Sequence, residues 1–177
     1  MRQLQDWRNA GLVLPGRLAI NISSQEIETE HFVDRFQLNV AEAMTLELEL
    51  TEYSLVNSRA NTLNTLHILR ERHLSFAIDD FGTGYSSLSY LTRLPVQKLK
   101  IDAAFVQNLL ANEQDQAIVK TIIAMAQSLG LQVIAEGIES LEQSDMLKAM
   151  GCGQGQGYHY GYPEPAEQFA QRLPRSH

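Results

Sequence analysis

The feature that most constrains the fold is a regular alternation of short β-prone runs with stretches of helical periodicity. The β-prone runs are Arg17–Ser23, Thr45–Thr51, Leu74–Asp79, Gln97–Asp102, Leu131–Glu136 and Gly155–Tyr160. Their centres lie roughly 23 to 33 residues apart, which is the spacing of repeated βα units that build a parallel sheet. The sequence therefore predicts one partial α/β domain over residues 1–177, with about six βα units.

Apolar residues at three- and four-residue intervals predict the helices between these runs. One helix is marked by Phe32, Val33, Phe36 and Val40, a second by Leu63, Leu66 and Leu69, a third by Ile118, Ile122, Met125 and Leu129, and a fourth by Leu141, Met146, Leu147 and Met150. The first residues, Met1 to Gly11, are typical of an amphipathic helix with Leu4 and Trp7 on one side.

Two sheet architectures fit this spacing, a (β/α) barrel and an open doubly wound sheet. Two further units would bring the chain to roughly 240 residues, close to an eight-stranded TIM barrel, so the pattern is that of a barrel without its first quarter. Polar residues near the carboxyl ends of the strands favour the barrel, because a barrel brings those ends together at one mouth. These residues are Asn21, Glu49, Asp79, Lys100, Asp102, Glu136 and Gln156.

Charge and cysteine content exclude several classes of protein. The 177 residues include 14 Lys and Arg against 21 Asp and Glu, a formal net charge of −7, which argues against binding to DNA or RNA polymers or to anionic membranes. The sequence contains no run of about 18 apolar residues, so it predicts no membrane span. The one cysteine, Cys152, cannot form an intrachain disulfide, which favours a cytoplasmic location.

The carboxylates expected at the mouth predict a metal site. Glu49, Asp79, Asp80, Asp102 and Glu136 would raise one another's pKa values if no cation lay between them. Oxygen ligands favour Mg²⁺ or Mn²⁺, and adjacent aspartates suit a two-metal site that hydrolyses a phosphate ester. Each residue also has an ordinary interpretation: the Asp pair could form a turn, and Lys100 and Asp102 a surface ion pair.

Six ordered motifs resemble one known family. The segment from Ile78 to Leu88, with the sequence IDDFGTGYSSL, is similar to the signature loop of EAL-type cyclic di-GMP phosphodiesterases. The other motifs are Ile20–Ser23, Leu48–Glu52, Leu99–Asp102, Ala135–Glu139 and Gln156–Tyr158. The resemblance implies a TIM-barrel-like fold and the metal-dependent hydrolysis of cyclic di-GMP to linear pGpG, with Mg²⁺ or Mn²⁺ as cofactor.

The resemblance also assigns roles to individual residues. It implies metal ligation by Asn21, Glu49, Asp79, Asp80 and Asp102, and catalysis by Glu136 assisted by Lys100. It implies supporting roles for Glu52, Glu139, Gln156, Gly82, Thr83 and Gly84, with Glu52 anchoring the glycine loop. Substrate contacts are expected from Ser23, Tyr85 and Pro163.

The sequence departs from the family pattern in two places. No Glu-Ala-Leu strand precedes Asn21, so the chain is expected to lack the first two barrel strands and one metal ligand. Tyr162 stands where the family more often has Arg or Lys before proline. Three interpretations stay open: an active phosphodiesterase, a cyclic di-GMP receptor without turnover, and an interaction remnant. Exposed sheet edges predict a homodimer or a partner chain that completes the barrel.

Overall fold

The computed structural model describes residues 2–36, 38–56, 60–84 and 88–175. The strands in these ranges are β1 (Leu18–Asn21), β2 (Leu46–Thr51), β3 (Ser75–Phe81), β4 (Lys98–Ile101), β5 (Gln132–Ala135) and β6 (Gln154–Gly155). The α-helices are α1 (Arg2–Asn9), α2 (Ser24–Ile27), α3 (Val40–Ala43), α4 (Glu52–Val56), α5 (Ala60–Glu71), α6 (Leu88–Leu91), α7 (Ala103–Gln107), α8 (Glu113–Ser128), α9 (Leu141–Ala149) and α10 (Ala166–Ala170). A 3-10 helix spans Phe32–Arg35.

The order of the strands decides between the two predicted architectures. All five neighbouring pairs are parallel, and the spatial order β1 to β6 is the order along the chain. A doubly wound sheet would reverse direction at a switch point, whereas a barrel adds each strand on the same side. The sheet curls into a half-barrel, so the barrel prediction is confirmed.

Strand β2 shows how residue alternation builds the two faces of the half-barrel. Leu46, Leu48 and Leu50 are fully buried, and burial of each such side chain contributes about 2 kcal/mol to folding. Because alternate residues point to opposite faces, Glu47 and Glu49 face the other side, which is the concave interior. Both glutamates are also buried, so this interior is polar but shielded from solvent.

One predicted helix was wrong. The residues from Phe32 to Val40 do not form a single helix, because a 3-10 helix ends at Arg35 and α3 begins at Val40. Asn39 explains the break, since its side chain accepts a hydrogen bond from the Glu42 backbone N–H at 2.9 Å while the Glu42 carboxylate accepts from the Asn39 N–H. This reciprocal capping box starts a new helix rather than continuing an old one.

Two predicted strand boundaries also shifted. Strand β3 continues through Phe81, past the predicted end at Asp79. Strand β6 covers Gln154–Gly155 alone, because the chain then turns around the backbone of Ile138. The Ile138 N–H donates to the Gln156 carbonyl, and its own carbonyl accepts from the His159 N–H. At Gly157 a Cβ atom would collide with the Ile138 backbone, so a side chain is excluded there.

A second, smaller apolar cluster joins the two ends of the described chain. Leu4 and Trp7 of α1 are buried, as the sequence predicts, against Leu46 and Leu173. The rings of Trp7 and Phe169 lie 5.7 Å apart, which connects α1 to α10. Among the helices in the described ranges, none is both long and apolar enough to cross a membrane.

Candidate active site

Lys100 is the centre of the polar cluster at the carboxyl ends of the strands. Its Nζ lies 2.7 Å from Glu49 Oε2, 3.0 Å from Asp79 Oδ1 and 2.8 Å from Glu136 Oε1. The Lys100 side chain is only 4% exposed. Glu49, Asp79 and Lys100 come from β2, β3 and β4, and Glu136 directly follows β5. Adjacent parallel strands therefore bring together residues that are far apart in the sequence.

Three carboxylates of this cluster contact one ammonium group, and burial and charge both act on the pKa values of Lys100 and Glu136. Burial alone would lower the pKa of Lys100, but the contacts with Glu136, Glu49 and Asp79 raise it above its ordinary value. Burial raises the pKa of Glu136 to about 7, and nearby Asp79 adds to that effect against the opposing pull of Lys100. The cluster therefore holds more negative charge than Lys100 neutralises.

A bulge in β3 places two consecutive aspartates at this mouth. The pairing of β3 with β4 shifts register between Ile78 and Phe81, and Asp80 adopts a left-handed backbone with φ 53°. One oxygen each of Asp79, Asp80 and Glu136 lies within 4.8 Å of the others. Burial, followed by the charges of Asp79 and Asp102, raises the pKa of Asp80. The three carboxylates form a possible cation site.

The spacing of Asp102 from Lys100 on one strand allows a surface ion pair, but the Asp102 carboxylate instead binds the backbone at the start of α7. Its Oδ1 accepts a hydrogen bond from the Ala104 backbone N–H at 2.7 Å and caps the N-terminus of α7. Asp102 still lies close enough to influence the pKa of Asp80. One of its oxygens is thus held by the helix, and its charge acts on the acidic cluster.

Glu52 holds the glycine loop that follows β3. Its Oε2 accepts hydrogen bonds from the backbone N–H of Gly82 at 2.9 Å and of Gly84 at 3.2 Å. A Cβ atom at Gly84 would come within 2.9 Å of the Glu52 carboxyl group, so a side chain there would push that carboxyl group aside. The Thr83 hydroxyl donates to the Asp80 carbonyl at 2.9 Å and connects the loop to the aspartate pair.

The remaining predicted residues lie around this centre rather than in it. Asn21 is exposed at the end of β1, opposite Glu49 in the strand register. Ser23 caps α2, where its hydroxyl donates to Glu26 Oε2 at 2.8 Å. Glu139, Gln156 and Pro163 are exposed, and within the described ranges none has a side-chain hydrogen bond to the Lys100 cluster. Tyr85 lies outside the described residues.

Sequence reasoning did not single out a second ion pair, which lies one layer deeper in the half-barrel. Lys98 Nζ is 2.7 Å from Glu47 Oε1, and the Ser75 hydroxyl also contacts the Glu47 carboxylate, at 3.4 Å. Both residues precede their functional counterparts, Glu49 and Lys100, by two positions on the same strands. That shared alternation is the signal that could have revealed the pair.

Comparison with known proteins agrees with this arrangement. The family model described as EAL domain matches residues 1–163. The chain belongs to the EAL domain family. This membership confirms the fold class, since its structural neighbours are EAL domains with a TIM-barrel-like fold.

Relatives of this EAL chain include named phosphodiesterases. It is 40% identical over 178 residues to cyclic di-GMP phosphodiesterase NbdA of Pseudomonas aeruginosa, covering 92% of this chain and 23% of NbdA. The solved structure of PaMucR phosphodiesterase in its c-di-GMP complex has a TM-score of 0.85 and 37% identity, covering 95% of this chain and 69% of that one. The manganese and cyclic di-GMP complex of Klebsiella pneumoniae BlrP1 has a TM-score of 0.76 and 28% identity, covering 89% and 40%.

The shared region is one part of much longer proteins. The EAL chain spans less than a third of the length of the curated relatives it matches, from 19% to 30%.

Proposed function

We propose that this EAL chain hydrolyses cyclic di-GMP to linear pGpG at the carboxylate-rich mouth of the half-barrel, with Mg²⁺ or Mn²⁺ bound. The observation that carries the proposal is the convergence of Glu49, Asp79 and Glu136 on the buried Lys100. One relative and one solved structure support cyclic di-GMP as the substrate. NbdA is named a cyclic di-GMP phosphodiesterase, and PaMucR was solved with c-di-GMP.

The chemistry of the donor set fits divalent cations. The side chains that face the mouth offer oxygen atoms, and one oxygen from each of Asp79, Asp80 and Glu136 lies within 4.8 Å of the others. Such hard oxygen donors suit Mg²⁺ or Mn²⁺, and BlrP1 was solved with manganese. In this proposal Asn21, Glu49 and Asp79 would hold one ion, while Asp80 and Asp102 would serve the second. Bound ions would lower the pKa of water and stabilise the oxygens of an in-line displacement.

Glu136 is the proposed general base or water-positioning residue. Its carboxylate receives a proton from the attacking water, whose oxygen forms a bond to phosphorus as one P–O ester bond breaks. The leaving ribose oxygen takes up a proton, so one water is consumed for each pGpG released. Lys100 positions Glu136 through the 2.8 Å contact with Oε1. A pKa of about 7 is suited to accepting a proton near neutral pH.

The remaining assignments concern binding and assembly. Ser23, Tyr85 and Pro163 are proposed substrate contacts, while Glu139 and Gln156 support the water network around the carboxylates. In the described sheet, β1 and β6 each have one neighbouring strand. A second copy of the chain or a strand-completing partner is therefore proposed at these edges. A cytoplasmic location fits a substrate that acts as a second messenger.

Turnover by the purified chain tests the proposal. Cyclic di-GMP is incubated with Mn²⁺ or with EDTA, and pGpG is measured by chromatography. We expect product with Mn²⁺ and none with EDTA. Glu136→Gln should abolish turnover but spare binding, whereas the control Glu30→Gln should keep full activity, because that side chain is 90% exposed. Tight binding without turnover by the unaltered chain would contradict the enzyme and favour a receptor.

A further inference from the structure

A large cavity lies at the end of the half-barrel opposite the acidic cluster. Its volume is about 580 Å³, and its walls include Ser75, Gln97 and Gln132 at or next to the amino ends of β3, β4 and β5. A neighbouring cavity of about 210 Å³ shares Arg17, Arg70, Ser75 and Gln97 with it. Because the two cavities share these four lining residues, we treat them together and call them the basal recess.

The charge of the basal recess is positive, although the whole chain is acidic. Arg17, Arg70 and Lys98 line it, and Glu47 is the one carboxylate among the described residues of its walls. Lys98 is already neutralised by Glu47 at 2.7 Å. Within the described part of the chain, neither Arg17 nor Arg70 has a carboxylate partner within 4.0 Å. The recess thus carries two uncompensated positive charges in a chain of net charge −7.

Both arginines are held in place by the backbone rather than by an anion. Arg17 Nη1 donates to the Leu46 carbonyl at 3.2 Å, and Arg70 Nη1 donates to the Pro95 carbonyl at 3.0 Å. A guanidinium group has five N–H donors, so each arginine keeps donors for a ligand after this contact. Side chains that are already ordered lose less conformational entropy when they bind.

We propose that the basal recess is a second binding site, which takes an organic phosphate the size of a nucleotide. Planar guanidinium groups bind phosphate oxygens in a bidentate manner and remain charged at neutral pH. Val96, Leu129 and Leu131 supply an apolar wall for the organic part of the ligand. The volume lies within the range of small-molecule sites, roughly 300 to 1,000 Å³. This site is separate from the proposed catalytic mouth and does not depend on it.

Calorimetric titration with GMP in EDTA tests the proposal. Without divalent cations the acidic mouth repels phosphate, so binding reports on the basal recess. We expect GMP to bind at least about tenfold more tightly than guanosine, since a charge-assisted hydrogen bond contributes roughly 1.5 to 3 kcal/mol. Arg17→Gln with Arg70→Gln should weaken GMP binding by at least about tenfold. The control pair Arg2→Gln with Arg93→Gln removes the same charge elsewhere and should leave binding unchanged.

Amide chemical-shift mapping on the unaltered chain makes the test independent of how the variants fold. We expect GMP to perturb the resonances of Gly130, Leu131 and Gln132 in the absence of metal. Perturbations confined to Asp80, Gly82 and Glu136 would overturn the proposal, because they would place GMP at the opposite end. Equal affinity for GMP and guanosine, or equal affinity of the two variant pairs, would also overturn it.

Discussion

Two layers of charged side chains line the concave interior of the half-barrel. Both layers come from the same strands, but they differ in charge balance. The inner layer lies further from the mouth, and there Glu47 of β2 and Lys98 of β4 form an ion pair at 2.7 Å. Two residues further along the same strands, Glu49 and Lys100 repeat that distance. This outer layer, at the mouth, differs from the inner layer because Asp79 and Glu136 also form ion pairs with Lys100.

This difference explains why one layer is a candidate catalytic site and the other is not. In the inner layer, the charges of Glu47 and Lys98 neutralise each other, and the neutral Ser75 hydroxyl donates a hydrogen bond to the Glu47 carboxylate. Three carboxylates around one ammonium group leave negative charge that only further cations or protons can neutralise. Burial raises the pKa of Glu136, and the neighbouring Asp79 carboxylate adds to that rise.

The largest predicted effect comes from removing the central cation. Lys100→Met leaves three carboxylates facing one another in a buried site, and breaking a buried ion pair costs about 3 to 5 kcal/mol. We expect a loss of that size in urea unfolding with EDTA present. Lys98→Met is the matched control and should lower the free energy of unfolding by less, because it leaves one carboxylate unpaired rather than three. Equal losses for the two variants would contradict the proposed difference between the layers.

The next effect is the dependence of stability on pH. The pKa of Glu136 is raised to about 7 in the folded chain, against 4.5 for its ordinary value. Between these values the folded state binds more protons than the unfolded state, so the metal-free chain should lose stability as pH rises through this window. The loss is about 1 to 3 kcal/mol, because solvent partly screens the interactions of this half-buried carboxyl group. Urea unfolding in EDTA at several pH values measures it.

Glu136→Gln isolates this contribution, because glutamine does not titrate. The variant should show a flatter pH dependence than the unaltered chain between pH 4.5 and 7. An unchanged slope would assign the pH dependence to other groups.

A smaller effect is expected from the loop anchor. Glu52→Ala removes the acceptor for the Gly82 and Gly84 N–H groups, and a hydrogen bond to a charged group contributes about 1.5 to 3 kcal/mol. The amides of both glycines should exchange with solvent faster in this variant. Glu52→Gln keeps one acceptor oxygen and should lose less protection. Unchanged exchange at Gly82 and Gly84 in Glu52→Ala would contradict the anchoring role.

The smallest effect concerns the cap of α2. Ser23→Ala removes the capping box with Glu26 and should cost about 1 kcal/mol in urea unfolding. Ser23→Asn keeps a good capping side chain and should restore most of that stability. A loss shared equally by both variants would show that the capping contact is not what Ser23 contributes.

Much of the sheet was readable from the sequence because alternation encodes it directly. The positions of Glu49 and Lys100 on the concave face follow from the leucines and isoleucine that alternate with them. The full set of partners of Lys100 was not readable. The resemblance implied that Lys100 assists Glu136, which it contacts at 2.8 Å, but it gave Glu49 and Asp79 only as metal ligands. The partners of Lys100 come from three different positions around the sheet, and their distances depend on the register between strands.

Local backbone conformation accounts for the other differences. The bulge that brings Asp80 to the mouth needs a left-handed residue one position before the end of β3, which propensity does not predict. The break before α3 was readable in principle, because Asn39 and Glu42 carry the signature of a capping box. The prediction rests on the apolar spacing of Phe32, Val33, Phe36 and Val40 and makes no use of that signal.

A calorimetric titration of the chain with Mn²⁺ tests the central claim most directly. The account predicts saturable Mn²⁺ binding that is lost in Asp79→Asn with Glu136→Gln and kept in Glu47→Gln, because the surplus carboxylates lie in the outer layer alone. Absence of Mn²⁺ binding, or binding that survives the double substitution, would contradict the assignment of this cluster as the metal centre.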